Sequence, residues 1–403
     1  MDTATSNIGQ PEALASAAVL REVLSPELLP LFRVSFVRSH LLYGEFVYRL
    51  VLGVLRETGL DVALREPGDA EEIADRAKLT SSVAAVPLDW ILRFLAARGA
   101  LEELPGAAVF RYRARGPLPQ LDPAPVREEQ HRYEPSWMPA YALAETAARE
   151  YPAFLRGEVA GEDVLFSARR LRLWIDYFSN DHGLYAVNNR VGAVAVEQWL
   201  PRPNAVVLEL GGGLGSGALA VLERLQAAGR LGAIAEYRFT EFVAAFLRRG
   251  EQTLRARYPE LACFRFGGCD MNRPFTEQGL DRGSVSVVYA VNTLHVAHDL
   301  DFTLGEVFRA LEPGGCLVIS ECVRPYPRQA IPAEFVFNLT ETFRAPRLHP
   351  VHRPTGGFLT PEQWKGLMGA AGFVDIRVLP EIARLRDRVP DFSVAAIGAT
   401  RPG

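Results

Sequence analysis

A glycine-rich segment in the second half of the chain constrains its fold more than any other feature. The apolar run at residues 205–210 is followed by Gly-Gly-Gly-Leu-Gly-Ser-Gly, and then by a helical apolar pattern at residues 218–225. Glycine lets a backbone approach a ligand where a Cβ atom would collide, and a helix N-terminus offers free N–H groups. The segment therefore predicts a buried strand, a ligand-binding turn and a helix.

The rest of this half alternates short β-branched runs with helical patterns. That alternation is typical of a parallel α/β sheet. With 403 residues the chain is also too long for one ordinary core, so a second domain is expected before this one. The strands are predicted at residues 205–210, 237–241, 264–266, 285–291, 316–320 and 392–397.

Several motifs here resemble those of class I S-adenosylmethionine-dependent methyltransferases. LELGGGLGSG has an acid two residues before its first glycine, as in motif I of that family, whereas the usual NAD fingerprint lacks this acid. LEPGG at residues 311–315 and AGF at residues 371–373 also resemble family motifs. The resemblance covers residues 190–400. It implies an α/β fold with a Rossmann-like, seven-stranded sheet over residues 201–403, and S-adenosyl-L-methionine as the cofactor.

The same resemblance implies which residues hold the cofactor. Glu209 and the loop glycines would hold its methionine part. Glu241, at the end of a predicted strand, would accept hydrogen bonds from the ribose hydroxyls, and Asp270 stands where family members place an acid near the adenine. The cofactor-binding residues so predicted are Glu209, Gly211, Gly213, Gly215, Glu241, Asp270, Met271 and Asn292.

The motifs YRFTEF, DMNRPF and NTLHVAHDL resemble most the C-methyltransferase domains of polyketide synthases. Those domains carry a His–Glu dyad at the motif positions of His295 and Glu321. Both residues follow neighbouring predicted strands, at the edge where doubly wound sheets bind ligands. Imidazole has a reference pKa of about 6.5 and accepts protons near neutral pH, while a carboxylate on its other nitrogen fixes the tautomer. We expect His295 to be the general base and Glu321 its orienting partner.

The methyl acceptor stays open between carbon and oxygen. Many O-methyltransferases place a base in an LHDW motif, but Val296 and Ala297 follow His295 here, which favours carbon. The predicted acceptor is a small-molecule or carrier-protein-bound natural-product intermediate of polyketide type. The alternatives are O-methylation of a specialised metabolite, C-methylation of a prenyl diphosphate, and a catalytically silent regulatory protein. His298, Asp299 and Asp301 resemble a metal site only superficially, because acids are common at helix starts, and no metal is expected.

Residues 323–357 are too long for an ordinary connection between two elements. We predict that they form a lid over the acceptor. Within them, residues 344–353 hold five basic side chains, which either bind a phosphate or carboxylate of the acceptor or form a solvated surface. The weakly predicted acceptor contacts are Tyr185, Asn188, Arg344, Arg347, His349 and His352.

The first half is predicted to be mostly helical. Residues 1–20 are expected to be disordered. Residues 21–118 resemble the winged-helix domain of small-molecule O-methyltransferases, which serves dimerisation and substrate enclosure. The pattern has a helix capped by Asp69, a helix over residues 83–98 and a hairpin that turns at Pro105-Gly106. Residues 119–200 are predicted to be a linker and helical connector. A homodimer is the expected assembly.

Composition argues against nucleic acid and membranes as partners. The net charge of −4 gives no overall attraction to phosphate. The apolar stretch at residues 41–55 is interrupted by Glu45 and Arg49 and is too short to span a bilayer. The N-terminus shows no basic segment before an apolar run, as a signal peptide would. We therefore expect a cytoplasmic protein that binds neither nucleic acid nor membranes.

Overall fold

The structure is a computed structural model that describes residues 8–105 and 109–403. These residues divide into two compact units, and each unit takes chain from three segments. Of the described residues, the first unit takes 8–17, 34–177 without 106–108, and Tyr326–Arg344, and the second takes Ala18–Arg33, Phe178–Pro325 and Ala345–Gly403.

The first unit is built mainly of helices with one small hairpin, as the composition of this half predicts. Asp69 caps its helix through a capping box with Glu72, which satisfies two otherwise unpaired N–H groups. The elements are α2 (Val34–Thr58), α3 (Leu60–Ala63), α4 (Ala70–Arg76), α5 (Ser81–Ala97), β1 (Leu101–Leu104), β2 (Arg111–Ala114), α6 (Ala124–Tyr133), α7 (Met138–Leu155), α8 (Gly161–Phe166) and α9 (Leu171–Tyr177), together with α14 (Glu334–Phe337) and α15 (Glu341–Arg344).

The order helix, helix, hairpin is present in α4, α5, β1 and β2, and β1 pairs with β2 in antiparallel fashion. Gly106, the second residue of the predicted turn, lies outside the described residues. The assignment of this unit as a winged helix with a dimerisation role remains a prediction.

The predicted lid is divided between the two units. Its first part, residues 326–344, packs into the first unit through buried groups. The indole Nε1 of Trp90 donates to Glu334 at 3.0 Å, and the hydroxyl of Tyr151 donates to the carbonyl of Phe335 at 2.9 Å. Residues 345–357 belong to the second unit. That the segment covers the acceptor remains a prediction.

The N-terminal segment differs from expectation. Residues 1–20 are predicted to lack order, but helix α1 occupies Gln10–Val23. Its sequence, QPEALASAAVLREV, is rich in alanine, which has the highest helix propensity of all residues. Small side chains therefore indicate a helix here rather than disorder. Residues 1–7 of the predicted segment lie outside the described part.

The second unit contains the predicted seven-stranded sheet, in the order β5-β4-β3-β6-β7-β9-β8. Its parallel strands are β3 (Ala205–Leu210), β4 (Ile234–Thr240), β5 (Phe264–Gly267), β6 (Val285–Val291) and β7 (Leu311–Cys322); β9 (Val394–Thr400) is antiparallel to both β7 and β8 (Val374–Leu379). The helices are α10 (Gly183–Trp199), α11 (Ser216–Ala227), α12 (Ala244–Arg257), α13 (Leu300–Ala310) and α16 (Pro361–Ala370).

The central strands of this sheet are buried on both faces. Every residue of β6 is buried, as expected for a parallel strand covered by helices. Strand β3 lies between β4 and β6, and β6 is followed by β7. Because these four strands are parallel, the residues that follow them meet at one edge of the sheet, where ligands bind in such folds.

Among the described residues, no single helix has the length and apolar character needed to cross a membrane. The bent pair α4 and α5 meets that criterion by length and composition alone. Helix α5 buries much of its apolar surface, including Leu88, Ile91 and Leu95. That burial is also what the core helix of a folded domain shows.

Candidate active site

The glycine turn after β3 has the backbone that its sequence predicts. Gly211, Gly213 and Gly215 have φ angles of +61°, +56° and +88°, in the left-handed region that favours glycine. The amide of Gly212 donates to the carbonyl of Thr240 at 2.9 Å. The turn therefore connects the carboxyl ends of β3 and β4 and leads directly into α11.

This turn is packed on one side and open on the other. A Cβ atom built on Gly211 would lie 2.4 Å from Thr293, and one on Gly212 would lie 2.3 Å from Phe239. One built on Gly213 meets no atom within 4 Å. The open side lies at the ligand-binding edge of the sheet, so the turn suits a bound group that approaches the Gly213 backbone.

Glu241 follows β4 and is 7% exposed. Its carboxylate accepts hydrogen bonds from the amides of Gly213, at 2.9 Å, and Val243, at 2.7 Å. Burial raises the pKa of Glu241, although the backbone amides of Val243, Gly213 and Phe242 oppose that shift. Glu241 is thus fixed against the glycine turn, where an acid matches a cationic ligand.

Asp270 and Met271 follow β5, the strand next to β4. One oxygen of Asp270 accepts from the amide of Asn272 at 2.9 Å, and the carbonyl of Met271 accepts from Thr303 at 3.0 Å. Asn272 in turn accepts from the amide of His298 at 2.8 Å. Hydrogen bonds therefore connect the segment after β5 to the chain that follows β6.

Glu209 occupies a different position from the other acids. Its side chain is 1% exposed and accepts from the hydroxyl of Tyr237 at 3.0 Å. A Cβ atom on Gly217 would lie 2.7 Å from its Oε1, so the carboxylate lies under the first turn of α11. Burial raises the pKa of Glu209 to about 8. Its predicted contact with the methionine part of the cofactor remains a prediction.

The raised pKa of Glu209 predicts a pH-dependent stability. The folded protein retains a proton that the unfolded chain loses near its ordinary pKa of 4.5, so stability present below that pH is lost as the pH rises through about 8. Glu209→Gln removes this titration. We expect the free energy of unfolding of the wild type to fall, relative to the variant, by on the order of 3 kcal/mol between about pH 5 and pH 9.

Urea denaturation at both pH values measures this difference. The exposed Glu260→Gln is the matched control and should follow the wild type at both. Parallel pH dependences for wild type and Glu209→Gln would contradict a protonated, buried Glu209.

His295 and Glu321 form a close, buried pair. Nδ1 of His295 lies 2.7 Å from Oε2 of Glu321, and the two side chains are 6% and 0% exposed. The other oxygen of Glu321 accepts from the amides of Thr293, at 3.2 Å, and Leu294, at 3.1 Å. One carboxylate therefore holds both the imidazole and the backbone before it. With Nδ1–H donated to Glu321, the basic nitrogen of the ring is Nε2.

The residues around this pair connect it to the glycine turn. The hydroxyl of Thr293 donates to the carbonyl of Gly211 at 3.3 Å. Asn292 has a φ of +47° and accepts from the amide of Cys322, at 2.7 Å, and from Nδ2 of Asn188, at 3.2 Å. Asn292 and Asn188 therefore join β6, β7 and α10. Their predicted contacts with cofactor and acceptor are not decided by these bonds.

Tyr185 on α10 lies among the acids of both parts of the site. Its pKa is raised by burial and also by the charges of Glu209, Glu241 and Glu321. Three acids at the carboxyl ends of three different strands thus act on one hydroxyl group. That Tyr185 contacts the acceptor remains a prediction.

The basic residues of the predicted lid do not share one environment. Arg344 belongs to the first unit and lies over the ring of Phe154 at 5.2 Å. In the second unit, Arg347 pairs with Asp299, and the rings of His349 and His352 stack at 4.9 Å. Arg347 thus has a carboxylate partner within the protein. Acceptor contacts by these residues remain predictions.

Three contributors to the site were not singled out from the sequence. Tyr237 binds Glu209, Thr293 contacts the glycine turn, and Arg353 binds the loop of His295. Thr293 stands inside the NTLH motif, so its position carried a signal. Tyr237 and Arg353 act across long sequence separations that no local pattern reveals.

Comparisons with known proteins show which families the chain is similar to. Residues 208–317 match a family model described as a methyltransferase domain. A hybrid PKS-NRPS synthetase of Macrophomina phaseolina is 36% identical over 152 residues, which are 38% of this chain and 4% of that protein. The chain spans only 4% to 9% of the length of eight polyketide synthases and related synthetases to which it is similar.

Solved structures show the same fold over nearly the whole chain. The CurJ carbon methyltransferase matches with a TM-score of 0.71 and 19% identity, covering 99% of both chains. The DszA carbon methyltransferase matches with a TM-score of 0.70 and 22% identity, covering 98% of this chain and 96% of its own.

Residues 208–317 are thus similar to a methyltransferase domain, and they contain the glycine turn. In fold the chain resembles the CurJ and DszA carbon methyltransferases, and part of its sequence is similar to part of a hybrid PKS-NRPS synthetase.

Proposed function

We propose that this protein transfers a methyl group from S-adenosylmethionine to the enolisable carbon of a β-keto thioester, carried by a carrier protein or a comparable thiol. The observation that carries this proposal is the buried contact of 2.7 Å between Nδ1 of His295 and Oε2 of Glu321, beside the glycine turn. Such a pair provides a positioned base at the edge of the sheet where both ligands would meet.

The chemistry of the two residues follows from their geometry. Nε2 of His295 takes a proton from the carbon between the ketone and the thioester, and the electron pair of that C–H bond forms an enolate. Glu321 stabilises the imidazolium through Nδ1 and keeps the ring in one orientation. When bound, S-adenosylmethionine would supply an electrophilic methyl group, whose bond to sulfur breaks as the enolate carbon bonds to it, so that S-adenosylhomocysteine would be left. His295 then releases its proton to solvent.

The charges around the site support binding of a cationic cofactor. Glu241 lies against the glycine turn, and Asp270 follows the next strand. S-Adenosylmethionine carries a sulfonium and an ammonium group, and nearby carboxylates favour such charges. In this proposal the amides of the turn and Glu241 hold the cofactor, and the dyad acts on the acceptor.

Three acceptors test the choice of carbon. The protein is incubated with S-adenosylmethionine and a β-ketoacyl thioester of pantetheine, its α,α-dimethyl analogue, or its β-hydroxyacyl counterpart. Only the first has a C–H bond that is acidified by both carbonyl groups, so we expect methylation of the first alone, detected by mass spectrometry. Methylation of the β-hydroxy compound with none of the β-keto compound would indicate O-methylation and overturn the proposal.

A further inference from the structure

Arg353 is an almost completely buried cation beside the candidate dyad. Its residue is 1% exposed, and it ends a small hairpin in which His349 and Arg353 pair through their backbones. Its Nη2 donates to the carbonyl of His295 at 2.6 Å, and its Nη1 donates to the carbonyl of Ala297 at 2.8 Å. One planar guanidinium therefore binds two carbonyls of a single turn.

Removing the guanidinium charge of Arg353 from water costs free energy. Burial lowers the pKa of Arg353 to about 10, while the charges of Asp299, Glu321 and Asp301 oppose the shift. Arg353 therefore stays protonated at neutral pH. Its positive charge interacts with the carboxylate of Glu321, and that carboxylate is hydrogen-bonded to His295.

A second contact fixes the hairpin to the same loop. The amide of Arg347 donates to the carbonyl of His298 at 2.6 Å, and its side chain pairs with Asp299. The segment at residues 347–353 is therefore attached to the loop at residues 295–299 at both of its ends. Part of the basic run at residues 344–353, for which acceptor binding is one prediction, therefore contacts the loop that holds His295.

We propose that Arg353 is a positioning residue of the methyl-transfer reaction, which holds the turn of His295 in place through two backbone carbonyls. The proposal rests on the assignment of His295 as the base. Two parallel N–H donors bind two carbonyls at once, a geometry that the single ammonium of lysine does not reproduce.

An apolar side chain lies against the ring of His295. The ring centre of Phe358 is 4.7 Å from that of His295.

Two substitutions separate geometry from charge. Arg353→Lys keeps the charge and loses the double contact, whereas Arg353→Met removes both. We expect kcat for methyl transfer to fall by on the order of 10²-fold in Arg353→Met, because small displacements of a catalytic group are costly. Arg353→Lys should recover part of that loss. The KM for S-adenosylmethionine should remain within about twofold of the wild type in both variants.

The split between kcat and KM distinguishes positioning from folding. A role in folding alone would lower the amount of active enzyme and leave kcat per mole of folded, cofactor-binding enzyme at its wild-type value.

Arg324→Lys is the matched control. Arg324 is 4% exposed, and its guanidinium binds Thr355 and the carbonyl of Gly356. We expect near wild-type kcat in this variant. If Arg353→Met does not fold, as judged by circular dichroism, the kcat of Arg353→Lys alone tests the proposal. Wild-type kcat in Arg353→Lys would overturn the proposal, as would wild-type kcat in folded Arg353→Met.

His295→Ala, measured in the same series, distinguishes this inference from the proposed function. Wild-type turnover in His295→Ala would show that His295 is not the general base, and it would overturn both proposals. Loss of turnover in His295→Ala, together with wild-type behaviour of both Arg353 variants, would overturn the role of Arg353 and leave the base assignment standing.

Discussion

His295→Ala is expected to lower the rate of methyl transfer by on the order of 10²–10⁴-fold, the usual contribution of a positioned general base. Cofactor binding should persist, because the glycine turn and Glu241 make their contacts without the imidazole. Steady-state kinetics with a β-keto thioester measure the first effect, and calorimetric titration with S-adenosylmethionine measures the second.

His298→Ala is the matched control, since His298 is only three residues away and its side chain is exposed. It should retain near wild-type turnover. Glu321→Gln should also have a lower turnover than the wild type, because a glutamine amide stabilises the imidazolium less than a carboxylate does. A folded His295→Ala variant that loses cofactor affinity would contradict the assigned role.

Gly213→Leu should abolish binding of S-adenosylmethionine. Gly213 has a φ of +56° and faces open space at the ligand-binding edge, so a leucine side chain would fill the volume that the cofactor needs. The left-handed backbone adds a cost of about 1–2 kcal/mol for a residue with a Cβ atom. Calorimetric titration should show no binding, while the circular dichroism spectrum remains that of the wild type.

Gly229→Leu separates the loss of ligand space from the backbone cost. Gly229 follows α11, has a φ of +66°, and a Cβ atom on it also meets nothing within 4 Å. The two substitutions therefore carry similar strain at different places. We expect normal cofactor affinity in Gly229→Leu, and equal losses of affinity in both variants would show that strain alone is responsible.

Much of the second unit is predictable because its signals are local. The apolar run before Gly211, the left-handed glycines and the acid at the end of β4 stand close together in the sequence, and each reflects a local backbone requirement. The positions of His295 and Glu321 follow from parallel topology, since residues after neighbouring strands meet at one edge. Nδ1 of His295 lies 2.7 Å from Oε2 of Glu321, and their catalytic role remains a prediction.

Features that depend on distant contacts were not predictable in this way. Arg353 binds the carbonyl of a residue 58 positions earlier, and the run of arginine and histidine around it gives no sign of burial. Residues 326–344 look continuous with residues 345–357 in sequence, but the two parts pack in different units. The prediction of disorder over residues 1–20 is wrong where helix α1 lies, because small residues such as alanine are common in helices as well as in disordered segments.

The position of the transferred methyl group tests the central claim most directly. The protein is incubated with S-adenosylmethionine labelled with a heavy carbon isotope in its methyl group and with a β-ketoacyl thioester, and the product is examined by carbon NMR. We predict a methyl resonance coupled to the α-carbon of the acyl chain, which His295→Ala should abolish. A methoxy resonance, or an unaltered signal in His295→Ala, would contradict carbon methylation by this dyad.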